Sequence, residues 1–205
     1  MDFRLIETMR VLESGEVYLL DRHLHRLRHS ARHFSFKYDS DKVREQITEA
    51  APRLPVFLRL LLSQNGDLEI SSGAIPTDQF EHLKFSSVRV DSKNPFLYHK
   101  TTKRGVYEEA RRDCAANTDV ILINERDEIT ETTITNIAVF RDGQWITPAL
   151  SCGLLPGVLR AELLSRGEIV EGIIHPEDLH SSDPIRCFNA LRGIFEAELL
   201  SSDEN

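Results

Sequence analysis

Apolar and polar residues alternate near the start of the chain and then recur at helical spacing. Residues 4–11 and 16–20 alternate as two short strands would, and residues 13–16 between them have the composition of a hairpin turn. Asp21 is a residue type favoured at helix N-caps. Apolar residues three or four positions apart then predict one face of a helix; they are Leu24, Leu27, Ala31 and Phe34. The chain is therefore expected to open with a hairpin followed by an amphipathic helix.

Similar patterns continue to residue 90. The elements predicted in this stretch are a helix over 41–51 and strands over 55–62, 67–71 and 83–90. Asn65-Gly66, which separates two of these strands, is a dipeptide typical of tight hairpins. The segment 91–95 that follows is polar and contains a proline, as expected of a linker.

Helical and strand patterns alternate again beyond this linker. The elements predicted there are helices over 101–116 and from Pro156-Gly157, and strands over 120–124, 135–140, 144–147, 168–174 and 185–189. This mixture predicts an α+β architecture of two lobes. We expect an N-terminal lobe over 1–90, an interlobe linker over 91–99 and a C-terminal lobe over 100–205. A small-molecule cleft is expected between the lobes.

Composition and charge narrow the kinds of partner. The 205 residues are 40% hydrophobic and 28% charged, which is typical of a folded globular domain. Asp and Glu outnumber Lys and Arg by 33 to 25, so with a net charge of −8 neither a nucleic acid nor a membrane is an expected partner. Three widely spaced cysteines, with no secretory signal and no membrane-spanning run, predict a cytoplasmic location.

Histidine and arginine are concentrated in the first predicted helix. Residues 22–33 contain four of each, and His25, His29 and His33 share one helix face. A metal site would need a fuller ligand set, and no carboxylate or cysteine completes a known zinc spacing. We therefore expect these side chains to form a solvated helix face, and no metal site is predicted.

Lysine is scarce enough for each one to be considered as a nucleophile. The six lysines are at positions 37, 42, 84, 93, 100 and 103. Lys100 follows the apolar run 96–98 at the end of the linker and would face the inferred cleft. Desolvation lowers the pKa of a lysine, which makes its amine nucleophilic at neutral pH. Lys100 is the candidate, and an ordinary surface lysine is the alternative.

Two features of the second half also point to chemistry. Glu131 lies in a threonine-rich run that enters an apolar strand, where a carboxylate needs a hydrogen-bonding or charged partner. Pro156 and Gly157 precede a helix whose free N–H groups and dipole favour a phosphate. The alternatives are a buried, hydrogen-bonded glutamate and an ordinary helix N-terminus.

Together these motifs resemble the fold-type IV pyridoxal-phosphate enzymes, which include the class IV aminotransferases and aminodeoxychorismate lyase. The run His23-Leu-His-Arg-Leu27 is similar to the family element His-x-x-Arg-Leu, which implies that Arg26 binds the cofactor phosphate. Lys100 occupies the Schiff-base position of the family. Glu131 with Asn136 matches the pattern Glu-x-x-x-x-Asn, which implies that Glu131 partners the pyridine nitrogen.

The phosphate side of the family site also has counterparts. Leu155-Pro-Gly-Val-Leu159 is similar to the family's phosphate-binding turn, which implies that the backbone of Val158 and Leu159 binds phosphate. Asn189-Ala190 matches the last strand on that side, where aminotransferases often have Gly-Thr. The resemblance spans nearly the whole chain and implies pyridoxal 5'-phosphate as cofactor, with Lys100 and Glu131 as catalytic residues. The implied cofactor-binding residues are Arg26, Lys100, Glu131, Val158, Leu159, Asn189 and Ala190.

Within the family, the regions around Lys100, Glu131 and Asn189 look most like lyase modules that accompany, or are fused to, aminodeoxychorismate synthase component I. This implies a lyase of folate biosynthesis that converts 4-amino-4-deoxychorismate into 4-aminobenzoate and pyruvate. An aminotransferase for branched-chain or D-amino acids is one alternative, and a noncatalytic binding protein with the same fold is another. Family members usually form homodimers, so a homodimer is expected.

The substrate side is less defined by the sequence. Candidates for orienting substrate carboxylates are Thr8, Arg10, His99 and Arg192. Family members usually carry a further N-terminal stretch with Gly-Asp-Gly before the strand aligned with residues 5–8. This chain starts almost at that strand, which predicts either a lobe of a longer fusion or a more open site.

Overall fold

The structure, a computed structural model, describes residues 3–200. The chain divides into two compact units. The first runs to Thr77 and also includes the segment His99–Lys103, whereas the second comprises Asp78–Tyr98 and the chain from Arg104 onward. No helix within residues 3–200 is long and apolar enough to cross a bilayer.

A three-stranded antiparallel sheet and two helices form the first unit. The strands, in the sheet order β1-β2-β3, are β1 (Leu5–Val11), β2 (Val56–Leu62) and β3 (Leu68–Gly73), and the helices are α1 (Leu20–His33) and α2 (Ser40–Ala50). Alternation along β1 puts Leu5, Met9 and Val11 on a fully buried face. Glu7 lies on that same face, against which α1 packs. The period of the strand therefore places a carboxylate inside an apolar core.

The segment His99–Lys103 extends this sheet at the edge of β1. The backbone N–H of Ile6 donates to the carbonyl of Lys100 at 2.8 Å, and Leu5 forms an antiparallel bridge with Thr101. The N–H of Thr102 donates in turn to the carbonyl of Arg4 at 2.9 Å. These bonds fix the backbone of Lys100 directly beside β1.

Two sheets and two helices form the second unit. Its strands are β4 (His82–Val90), β5 (Thr118–Asn124), β6 (Ile129–Thr132), β7 (Asn136–Arg141), β8 (Gln144–Pro148), β9 (Val170–Gly172), β10 (Ile185–Asn189), β11 (Gly193–Glu196) and β12 (Glu198–Leu199), and its helices are α3 (Gly105–Arg111) and α4 (Val158–Ser165). One sheet has the order β12-β4-β5-β6 and the other β11-β10-β7-β8-β9. A buried core that includes Leu83, Ile121, Ile137 and Phe195 lies among these strands.

The two units differ from the lobes predicted over 1–90 and 100–205. Strand β4, expected at the end of the first lobe, pairs in parallel with β5, with Leu83 opposite Asp119. The residues expected to form a linker over 91–99 belong to the second unit as far as Tyr98. Lys100, expected at the start of the second lobe, belongs to the first unit because it pairs with β1. Pairing between distant strands decided these boundaries, and local composition does not encode it.

Several local elements also differ from the sequence pattern. The strand expected over 16–20 is reduced to a single bridge between Val11 and Val17. Asp21 is not the N-cap of α1, because the helix begins one residue earlier, after Leu19 in the left-handed conformation (φ 54°). The helix expected over 101–116 forms only as α3, since its first residues pair with β1 instead. Strands β6, β11 and β12 are two to four residues long, too short for periodicity to reveal.

Candidate functional site

Arg26 of α1 lies in a buried cluster with a carboxylate of β1. Its Nε donates to Oε1 of Glu7 at 2.9 Å and its Nη2 donates to Oε2 at 2.6 Å. The ring Nδ1 of His23, one helical turn before Arg26, lies 2.7 Å from the same Oε2. Exposure is 2% for Glu7 and 1% for His23. A bidentate pair of this kind fixes the plane of the guanidinium as well as its position.

The electrostatics of this cluster determine its protonation. Burial opposes ionisation of Glu7, but the Arg26 charge and the bonds from His23 and Arg26 outweigh burial and lower the pKa to about 2. Burial also lowers the pKa of His23, which the bond to Glu7 only partly offsets. Glu7 is therefore ionised and accepts a hydrogen from Nδ1 of a neutral imidazole. Nε2 of His23 is then an acceptor, and it is buried without a hydrogen-bond partner among residues 3–200.

Glu7 and His23 were not among the residues selected from the sequence. Glu7 occupies the apolar face of β1, so strict alternation along the strand could have marked it as a buried charge. His23 belongs to the same motif as Arg26, but only the arginine was assigned a role. Glu7 accepts from Nε and Nη2 of Arg26, and a guanidinium held in one plane is the geometry that suits bidentate binding of a phosphate.

Glu131 lies on β6 and is 5% exposed. Its Oε1 accepts from the hydroxyl of Tyr107 at 2.9 Å and from the backbone N–H of Leu155 at 3.1 Å. Its Oε2 accepts from Nδ2 of Asn136 at 3.1 Å. These three donors are neutral groups, and a hydrogen bond to the ionised form of an acid favours that form. The sequence motif contained Glu131 and Asn136, whereas no pattern indicated Tyr107.

The N-terminus of α4 adjoins this carboxylate. Gly157 is its N-cap and offers no side chain, and the first bond into the helix runs from the N–H of Ala161 to the carbonyl of Gly157 at 2.9 Å. The N–H groups of Val158 and Leu159 precede that bond and point out of the helix end. A Cβ on Gly157 would lie 1.9 Å from Oδ1 of Asn136. This glycine therefore lets the helix end approach the Glu131 cluster closely.

Asn189 and its neighbours form a tight turn after β10. Nδ2 of Asn189 donates to the carbonyl of Ile134 at 3.1 Å, and its Oδ1 accepts from the N–H groups of Leu191 and Arg192 at 3.0 and 2.7 Å. Ala190 is buried within this turn. Nε of Arg192 donates to the carbonyl of Asp78 at 3.3 Å. The polar atoms of the Asn189 side chain are thus used within the turn. A ligand-binding role therefore fits the backbone of Asn189 better than its side chain.

Thr8 and Arg10 lie on the face of β1 opposite Glu7. Both are partly exposed, and Thr8 is opposite Arg59 of β2. Nε of Arg10 is buried and has no hydrogen-bond partner among residues 3–200. Such a donor is suited to an acceptor that the chain itself does not supply. Two arginines and a hydroxyl on one sheet face are chemically suited to a carboxylate.

His99, also predicted on the substrate side, is buried in the first unit. Its Nδ1 lies 2.9 Å from Oγ of Ser30, and its ring packs against His33 and Phe34 at centroid distances of 4.4 and 4.9 Å. Burial, together with the nearby His33 and His29, lowers the pKa of His99 to about 4. The ring is therefore neutral at pH 7 and offers no charge to a carboxylate, so its evident effect is to hold the residue before Lys100.

The predicted residues thus divide between the units. Thr8, Arg10, Arg26, His99 and Lys100 belong to the first unit, and Glu131, Val158, Leu159, Asn189, Ala190 and Arg192 belong to the second. Within residues 3–200 no three His, Cys, Asp or Glu side chains are grouped as metal ligands. The exposed His29 and the neighbouring His33 instead stack against His99.

Comparison with known proteins identifies relatives along almost the whole chain. The family model for amino-transferase class IV matches residues 4–199. A Schizosaccharomyces pombe protein, provisionally named an aminodeoxychorismate lyase, is 32% identical over 217 residues, covering 98% of this chain and 91% of that protein. Its similarity extends across both units.

Solved structures give the same result for the fold. A crystal structure from Mesorhizobium loti, provisionally named an amino-acid aminotransferase, is 41% identical with a TM-score of 0.89, covering 97% of this chain and 100% of that one. The 4-amino-4-deoxychorismate lyase of Pseudomonas aeruginosa has the same fold, with 21% identity, a TM-score of 0.81 and coverage of 97% and 83%. The predicted α+β, fold-type IV architecture is confirmed. The chain therefore belongs to the class IV aminotransferases, a family of pyridoxal-phosphate-dependent enzymes.

Proposed function

We propose that this protein is a 4-amino-4-deoxychorismate lyase, which releases 4-aminobenzoate and pyruvate. The observation that carries the proposal is the similarity to the S. pombe relative, which covers 98% of this chain at 32% identity. The site chemistry alone fits lyases and aminotransferases equally, because both begin by removing a proton from the carbon that bears the substrate amine. The preference for a lyase over an aminotransferase therefore rests on the similarity to this relative.

The residues present are suited to pyridoxal phosphate. We assign covalent attachment of the cofactor to Nζ of Lys100, whose backbone is fixed beside β1. The guanidinium of Arg26, held in plane by Glu7, and the N–H groups of Val158 and Leu159 would bind the phosphate. The backbone at Asn189 and Ala190 would support the same group. The carboxylate of Glu131 would hold a proton on the pyridine nitrogen. Bound in this way, the cofactor supplies an electron sink.

Lys100 would perform the proton transfers. Its Nζ takes the proton from the ring carbon that bears the substrate amine, and then delivers a proton to the methylene carbon of the enolpyruvyl group. The bond between the neighbouring ring carbon and the ether oxygen then breaks, a double bond forms between the two ring carbons, pyruvate leaves, and the ring becomes aromatic. No oxidant or 2-oxo acid is consumed, because the proton removed balances the proton delivered.

The substrate has two carboxylates that must be oriented. We assign one of them to Arg10 and Thr8, because Nε of Arg10 is a buried donor without a partner among the described residues. Such a donor gains a hydrogen bond when a carboxylate binds, which compensates its desolvation. Arg192 is kept as a second candidate on the other unit. The neutral, buried ring of His99 is assigned to holding the Lys100 backbone instead.

A class IV aminotransferase is the second candidate function. The observation in its favour is the M. loti structure, which is 41% identical over the full length of that chain. In that reaction Lys100 would again remove the proton from the carbon that bears the amine, and a 2-oxo acid would be required as acceptor of the amino group. The two functions therefore differ in their need for an acceptor.

The test supplies aminodeoxychorismate to the purified protein with pyridoxal phosphate and without a 2-oxo acid. The proposal predicts equal amounts of pyruvate and 4-aminobenzoate, and no release by the Lys100→Ala variant. Lys103→Ala, which alters a neighbouring lysine, is the matched control and should retain turnover. Glutamate formation from 2-oxoglutarate and an amino acid, without pyruvate release, would assign the aminotransferase. Bound cofactor without either reaction would indicate a noncatalytic binding protein.

The assembly and location follow from the resemblance and remain part of the proposal. We expect a homodimer in the cytoplasm that acts with aminodeoxychorismate synthase component I, because that enzyme makes the substrate. Cys114, Cys152 and Cys187 are all free thiols, which supports a reducing compartment. Size-exclusion chromatography with light scattering would test the dimer.

A further inference from the structure

Tyr107 is the one buried residue of α3, and its hydroxyl reaches the candidate catalytic carboxylate. The ring is 7% exposed and packs with Val90, Leu97 and Leu122. Its hydroxyl donates to Oε1 of Glu131 at 2.9 Å. Apolar packing would have been served as well by phenylalanine, so the hydroxyl has a separate effect on Glu131.

The surroundings keep this hydroxyl a donor. Burial, followed by the charge of Glu131 and its hydrogen bond, raises the pKa of Tyr107 well above its usual value. The phenol is therefore protonated whenever Glu131 is ionised. The guanidinium of Arg104 lies 4.7 Å from the ring centroid, and its Nη2 donates to the carbonyl of Thr133 at 2.5 Å. A cation over the ring withdraws electron density from the phenol and strengthens its O–H as a donor.

The three donors act on different parts of the carboxylate. Tyr107 and the N–H of Leu155 both bind Oε1, whereas Asn136 binds Oε2. Asn136 is itself fixed, since its Nδ2 also donates to the carbonyl of Leu155 at 3.0 Å. Tyr107 is the only one of the three that comes from outside the segment 131–155. It therefore couples the position of α3 to the orientation of Glu131.

We propose that Tyr107 is a positioning residue for Glu131, holding this carboxylate ionised and correctly turned toward the pyridine nitrogen of the cofactor. This inference depends on the role proposed for Glu131, but it holds for a lyase and an aminotransferase alike. A hydrogen bond to the charged form of an acid favours that form, so losing it raises the proton affinity of Glu131. A protonated Glu131 could no longer stabilise a protonated pyridine.

The test compares Tyr107→Phe with wild type, using the absorbance of bound pyridoxal phosphate as the pH is lowered. The transition in the spectrum should move to higher pH in the variant. The turnover number should fall about tenfold, the lower end for a lost hydrogen bond to a charged group, with little change in KM. Tyr98→Phe is the matched control, because the Tyr98 hydroxyl donates to the carbonyl of Ser92 at 2.7 Å, away from Glu131. It should lower stability without moving the spectrum.

A double-variant cycle separates positioning from packing. In the Glu131→Gln background, Tyr107→Phe should change cofactor affinity and turnover less than twofold, because the charge it serves is gone. Equal effects in both backgrounds, or a lowered melting temperature with an unmoved spectrum, would overturn the proposal. So would a wild-type protein that binds no pyridoxal phosphate. If the spectral transition moves in Tyr107→Phe but the wild type releases no pyruvate, the positioning role of Tyr107 is supported and the lyase assignment is refuted.

Discussion

Replacing Glu7 with glutamine tests the buried cluster that holds Arg26. The substitution keeps the shape and one acceptor, but it puts an amide where Arg26 and His23 both donate. Ionised Glu7, with its pKa lowered from 4.5 to about 2, contributes roughly 3 kcal/mol to stability. Loss of one partner from a buried ion pair typically costs about 3–5 kcal/mol. Glu7→Gln should therefore lower the free energy of unfolding by roughly 3 kcal/mol at pH 7.

The pH dependence of this loss has a definite sign. The stability supplied by a carboxylate with a lowered pKa is fully present above about pH 4.5 and is lost as the pH falls toward 2. Between pH 7 and pH 4 the difference in free energy of unfolding between the wild type and Glu7→Gln should therefore shrink by about 1 kcal/mol. The variant lacks this carboxyl and does not share the loss.

Urea unfolding of the apo protein at pH 7 and pH 4, followed by circular dichroism, measures both quantities. Glu69→Gln is the matched control, because Glu69 pairs with Arg4 at 2.6 Å but is 64% exposed. An exposed pair of this kind should contribute less than about 1 kcal/mol. The reasoning is refuted if Glu7→Gln costs no more than Glu69→Gln, or if its cost is the same at both pH values.

Two further variants test the second unit. Glu131→Gln should fold and bind pyridoxal phosphate, but its turnover should be roughly a hundredfold lower, because it lacks the charge that supports a protonated pyridine. Turnover is measured as formation of 4-aminobenzoate, and a wild-type rate in the variant would contradict this role. Gly157→Ala should lower the free energy of unfolding in urea by about 1–3 kcal/mol and weaken cofactor binding, because its Cβ would lie 1.9 Å from Oδ1 of Asn136 and would displace that side chain. Gly105→Ala is the control and should be tolerated, because there is open space around Gly105. Equal behaviour of the two variants would contradict the close approach at Gly157.

Features encoded by local pattern were predictable from the sequence. The amphipathic face of α1 follows from its apolar spacing, and the hairpin of β2 and β3 follows from Asn65-Gly66. The helix after Gly157 was predicted for the same reason, since Pro and Gly mark its start. In each case, neighbouring residues alone determine the structure.

Features created by pairing between distant parts of the chain could not be predicted from the sequence. Lys100 joins the edge of β1, almost a hundred residues earlier, and nothing in the composition of the linker encodes that choice. The contact between Tyr107 and Glu131 likewise joins a helix to a strand 24 residues away. Glu7 is intermediate: its buried position follows from the alternation of β1, but its partners become evident only when α1 packs against that strand.

The most direct test of the proposed site is to locate the lysine that binds the cofactor. The protein is loaded with pyridoxal phosphate, reduced with borohydride, digested and mapped by mass spectrometry. The account predicts a pyridoxyl group on Lys100 and its absence after Lys100→Ala, with the fold retained by circular dichroism. Recovery of the label on Lys103 or Lys84 in the wild-type protein would contradict the assignment of Lys100.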